Sequence, residues 1–88
     1  MKLKYNFITN KVADKIIAVA VGKDAEKFSG FIKMNETGAY IFNMLKNNVT
    51  ENEIITAMEK EYDGVTKEEL CTTVREFIEQ LNESGVIE

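Results

Sequence analysis

The chain has 88 residues, enough for one domain and too few for two. A domain of this size buries only roughly 60% of the surface its unfolded chain exposes, so its core must be thin. With 44% hydrophobic residues and a net charge of −4, the composition excludes a disordered segment, which needs low hydrophobicity and high net charge. Taken in chain order, the first third reads as β-structure. Tyr5, Phe7, Ile8 and Val12 predict a strand over roughly 5–12, because aromatic and β-branched residues fit a pleated surface. Ala13-Asp14 makes a tight turn. Ile16, Ile17, Val19 and Val21 form a second strand that Gly22 ends, and polar residues 23–27 form a loop. A short third strand is expected over residues 28–34, with Phe28, Gly30, Ile32 and Met34 on one face and Phe31 on the other. Gly30 would let another backbone or side chain approach closely.

Three helices follow. Asn35 is a good N-cap, and Ala39, Ile41, Phe42 and Leu45 behind it recur at helical spacing until Asn47-Asn48. Thr50-Glu51-Asn52-Glu53 is a capping box, in which the Thr and Glu side chains satisfy each other's backbone N–H groups. It opens a second helix with Ile54, Ile55 and Met58 buried, Tyr62 near its end, and Asp63-Gly64 stopping it in a left-handed cap. Thr66-Lys67-Glu68-Glu69 is a second box. The third helix then carries Leu70, Val74, Phe77, Ile78 and Leu81 at spacings of three and four. Ser84-Gly85 closes it, leaving Val86-Ile87 to lie on the core. The helices are expected at about 36–47, 51–63 and 67–84. The fold class is α+β: a three-stranded antiparallel sheet followed by three helices, winged helix-turn-helix-like, in one domain over residues 1–88.

The residue inventory argues against catalysis. There is no His, which removes the commonest general base and metal ligand. There is one Cys, so neither a disulfide framework nor a zinc or redox pair can form within the chain. No Gly-rich phosphate loop is present. Glu53 and Glu69 read as capping residues at helix N-termini rather than as acid–base groups. Cys71 lies about 100° round the helix from Leu70, at the margin of the apolar stripe, and reads as a small, partly buried hydrophobe. No cofactor, metal or catalytic residue is expected. The longest apolar run, Ile16–Val21, is far too short to span a membrane, and the N-terminus lacks the apolar core of a signal peptide. Together with the lone Cys, this predicts a cytoplasmic protein.

Charge bears on partners. Residues 1–33 carry seven Lys against three acids, +4, whereas residues 34–88 carry four bases against twelve acids, −8. A DNA-binding winged helix would place its third helix against phosphates, where affinity depends on neutralising them. That helix has Lys67 and Arg75 against Glu68, Glu69, Glu76, Glu79 and Glu83, so nucleic acid is not expected as a partner. The alternative that stays open is a winged-helix protein binding DNA or another protein in regulation.

The run Phe31-Ile32-Lys33-Met34-Asn35-Glu36-Thr37-Gly38-Ala39 resembles the hallmark of the PqqD family, a strand ending in Leu-Asn-Glu-Thr-Gly before an aliphatic helix, with Met34 in place of the usual Leu. Val49-Thr50-Glu51-Asn52-Glu53-Ile54, Glu61-Tyr62-Asp63 and Phe77 to Ile87 resemble the family's later motifs in the same order, so the resemblance covers almost the whole chain. It implies a peptide chaperone, or recognition element, that binds the leader of a ribosomally made precursor peptide and presents it to a maturation enzyme, commonly a radical SAM enzyme. It also implies that the leader adds as an extra strand to the third strand, with apolar side chains entering a groove beside the third helix.

An unpaired strand edge offers the N–H and C=O groups this requires. The expected contact residues on the strand side are Phe28, Gly30, Phe31 and Ile32. On the helix, Cys71, Val74, Arg75 and Ile78 form one flank of the stripe and Thr73, Phe77 and Gln80 the other. Helical spacing does not say which flank faces the groove; the expectation adopted is the first. The same strand edge could instead pair two copies into a homodimer.

Overall fold

The computed structural model describes all 88 residues. Three strands, β1 (Phe7–Val12), β2 (Lys15–Ala20) and β3 (Ile32–Met34), form an antiparallel sheet in that order. Three helices follow: α1 (Glu36–Met44), α2 (Glu51–Glu61) and α3 (Lys67–Ser84). The expected α+β succession of three strands and three helices is what the chain adopts. The sheet's inner face and the apolar stripes of the helices enclose a cluster of 19 buried hydrophobic residues, and no polar side chain is buried. No helix is long and apolar enough to cross a membrane.

The β1–β2 hairpin turns at Ala13-Asp14, with Val12 opposite Lys15. Ala13 sits at φ 58°, in the left-handed region that favours glycine. Relieving that strain with Ala13→Gly is worth roughly 1–2 kcal/mol, partly offset by about 0.4–1 kcal/mol of added unfolded-chain entropy. A small net stabilisation is therefore expected, visible as a rise of a few degrees in thermal melting. An unchanged or lower midpoint would show that the turn is not strained.

The third strand is shorter than the sequence predicts. Residues 22–26 form a 3-10 turn in place of a loop, and the Phe28 N–H still donates to the Asp24 carbonyl at 3.0 Å. Phe28 is drawn sideways into an aromatic cluster, 5.7 Å from the Phe7 ring and 6.3 Å from Tyr5. Gly30, at φ 96°, then redirects the chain before pairing resumes at Ile32. So Phe28 and Gly30 are not strand residues. The expected alternation does hold where the strand exists: Ile32 and Met34 are buried, and Lys33 is exposed. Phe31, one step earlier, is 62% exposed.

The helix ends follow their caps, with small differences. The Asn35 side chain accepts from the Gly38 N–H at 2.8 Å. The Thr50 box is complete in both directions. At Thr66 only half the box forms: the Glu69 N–H reaches the Thr66 hydroxyl at 3.1 Å, but that hydroxyl donates to the Glu69 carboxylate instead of leaving it for the Thr66 N–H. The first helix stops at Met44, short of Asn47-Asn48. The second is capped at Tyr62 in extended backbone, with Gly64 taking positive φ two residues later. The third ends at Gly85 in left-handed conformation, as expected.

Beyond α3, Val86 and Ile87 are buried, and Ile87 bridges to Leu3. The Lys4 N–H donates to the Val86 carbonyl (2.7 Å) and the Glu88 N–H to that of Lys2 (2.9 Å). The Leu3 N–H reaches the Leu45 carbonyl at 2.9 Å. The first and last residues of the chain thus close over the end of α1.

Candidate functional site

In the order β1-β2-β3, β2 has a neighbour on each side, and β1 and β3 are the two edge strands, with one neighbour each. An antiparallel ladder points alternate N–H and C=O pairs to opposite sides. No backbone hydrogen bond outside the ladder involves residues 29–34. The groups on the outer side of β3 are therefore unpaired, the condition for accepting an added strand.

What positions α3 beside this edge is a glycine. Gly38 occupies the third residue of α1, where its N–H is tied to the Asn35 cap. A Cβ built there would lie 2.9 Å from Cε1 of Phe77 and 3.2 Å from Cβ of Met34. The Phe77 ring therefore rests directly on the α1 backbone, next to the last residue of β3. The Asn-Glu-Thr-Gly run is thus a cap followed by a notch: Asn35 starts the helix, and Gly38 leaves room for an aromatic ring from a helix 39 residues on.

Around that ring opens a cleft of about 380 Å³, lined by Lys15 of β2, Lys33 and Met34 of β3, Asn35, and Phe77 and Gln80 of α3. A smaller depression continues along α3 past Gly38 and Ile41 to Thr73 and Glu76. Phe77 and Gln80 therefore line the cleft with β3, and Thr73 lines the depression over α1, on the flank opposite to the one expected. None of Cys71, Val74, Arg75 and Ile78 lines either depression. Val74 and Ile78 are core, Cys71 is half-buried against it, and Arg75 is exposed.

On the strand side, Ile32 is also core, Phe28 is half-buried in its aromatic cluster, and Gly30 and Phe31 are exposed at the approach to β3. Helical spacing alone could not orient α3, because its roll depends on how the helix packs against α2 and α1 in three dimensions. The available signal was the pairing of an in-helix glycine with the only aromatic residue of α3. The fold brings no three Asp, Glu or Cys side chains into a metal-binding group.

A short sheet whose β3 edge is open beside a cleft floored by a buried aromatic ring defines a small α+β binding domain rather than a catalytic pocket. The chain belongs to the family described as Coenzyme PQQ synthesis protein D (PqqD), whose model matches residues 17–87. Among solved structures it is similar to "TbiB1 in Complex with the TbiA(beta) Leader Peptide", with a TM-score of 0.74 and 18% identity over 100% of this chain and 95% of that one. At that identity the likeness is one of fold. No curated protein sequence matches the chain.

Proposed function

We propose that the chain is a non-catalytic module that binds the leader of a ribosomally made precursor peptide and presents the peptide to a separate modifying enzyme, with a radical SAM maturase the expected partner. The observation that carries this reading is the unpaired outer edge of β3 beside the Phe77 cleft. Family membership and the likeness to TbiB1, whose structure was solved with a leader peptide, support it. Main-chain pairing along an edge supplies affinity for any extended peptide, and pockets for alternate side chains supply selectivity. The work would be done in the cytoplasm, where such peptides are made.

Residues 31–35 and the Thr73–Phe77–Gln80 flank are the contact surface this reading assigns. A leader peptide encoded beside the gene should bind with micromolar affinity or better and shift the backbone amides of Phe31–Asn35 in NMR spectra. Binding that leaves those amides unmoved would sink the strand-addition model. Two copies pairing through the same edge would occlude the peptide, so any dimer should dissociate as peptide is added.

A further inference from the structure

The alternation of β3 bears on what kind of peptide this edge prefers. Ile32 and Met34 point into the core, and Lys33 points to the opposite face. On β2, Ile17 stands across from Lys33 and Ile16 across from Met34, so Lys15 shares the outer face with Ile17 and Lys33. Both lysines reach the cleft at the end of β3, and no carboxylate lines it. Of the other lysines in the first third, Lys11 pairs with Glu36 at 3.0 Å and Lys27 with Asp24 at 3.9 Å, and Lys2, Lys4 and Lys23 do not line this cleft. The side-chain amines of Lys15 and Lys33 take part in no ion pair or hydrogen bond within the fold. Lys33 on the β3 edge and Lys15 one strand further in therefore put two unneutralised cations on one face of the sheet, beside the cleft.

We infer that the peptide held on β3, on the reading above, carries an acidic residue between two apolar ones. The residue opposite Lys33 emerges on the outer face, directly across from Lys33 and with Lys15 one strand further in on the same face, and is Asp or Glu. Its two neighbours emerge on the inner face, and the one opposite Met34 enters the slot beside Phe77. Cross-strand pairs are the unit of selectivity in a sheet, and an opposite charge placed directly across is favourable where a like charge is not. Exposed Phe31, immediately before β3, leaves a ring free at the start of this edge. Glu76 lies in the neighbouring depression along α3, on the other side of Phe77, and does not neutralise this face.

The test uses the full chain and synthetic peptides that present Leu-Glu-Leu or Leu-Lys-Leu in a common flexible flank, titrated by calorimetry at low salt. The Glu peptide should bind about fivefold more tightly than the Lys peptide. Lys33→Glu should reverse that order, and Lys15→Glu should narrow it. Both positions are exposed, so circular dichroism should show the fold unchanged. Equal binding of both peptides, with amide shifts still at residues 31–35, overturns the acidic preference and leaves strand addition standing. If neither peptide binds while the gene's own leader does, the alternating motif itself is wrong. If no peptide binds at all, the inference falls together with the reading beneath it.

Discussion

Phe42→Ala should lower the melting midpoint by about 15–30 °C, given about 4–8 °C per kcal/mol for a domain of this size. Phe42 is fully buried and meets the Phe7 ring edge-on at 5.2 Å, so it joins α1 to the first strand. Truncating a buried Phe costs about 3–5 kcal/mol in lost transfer energy and the cavity left behind. A chain of this length has a total stability of roughly 4–13 kcal/mol. The loss is therefore a large fraction of everything holding the fold, and at the low end of that range the variant is unfolded at room temperature. Denaturant titration followed by far-ultraviolet circular dichroism measures it. A loss below about 1 kcal/mol would mean that the site collapses around the missing ring, contrary to the packing described.

Gly38→Ala should also destabilise, against the ordinary preference of helices. In a helix interior Ala is favoured over Gly by about 1 kcal/mol, less at the third residue. Here the added Cβ falls 2.9 Å from the Phe77 ring and 3.2 Å from Met34. The Met34 Cβ is held by its own backbone, and the Phe77 ring can give way only toward the cleft it floors. Overpacking of this kind costs about 1–3 kcal/mol, so the steric term wins and a net loss of about 1–2 kcal/mol is expected. The ring must shift toward the cleft, so peptide affinity should fall as well. Replacing Phe77 with Leu makes room for the methyl group. The double variant should therefore be more stable than the sum of the two single changes allows. Strict additivity would show that the two residues do not touch in solution.

The sequence made the helices legible because their signals are local. All five apolar positions read from the third helix, Leu70, Val74, Phe77, Ile78 and Leu81, are buried, and the Thr50 box closes in both directions. The third strand was only half legible. Residues 28–31 have strand composition, yet Phe28 is claimed by Phe7 and Tyr5, more than twenty residues upstream, and no local pattern reports such a competition.

The site was legible as an edge but not as a cleft. Helical period says which residues of α3 are apolar. It does not say how the helix is rolled against its neighbours, and that roll decides between Cys71 and Arg75 on one side and Thr73 and Gln80 on the other. The packing of α3 against α2 and the close approach of Phe77 to Gly38 set it together. The charge asymmetry of the first third was visible from composition. That Lys15 and Lys33 share one face of the sheet beside the cleft needed the register of β2 against β3.

The closure between the first and last residues bears on how the domain is made. Leu3 and Lys4 find their partners in Ile87 and Val86, at the other end of the sequence. Synthesis proceeds from the N-terminus, so the hairpin and α1 emerge well before anything that can cover Leu3. Until residues 86–88 have left the ribosome, this end of the core stands open to water, and the nascent chain carries an unfinished hydrophobic seam. The last few residues act as a latch, and the domain can pass from a partly collapsed chain to its native state only once they are made.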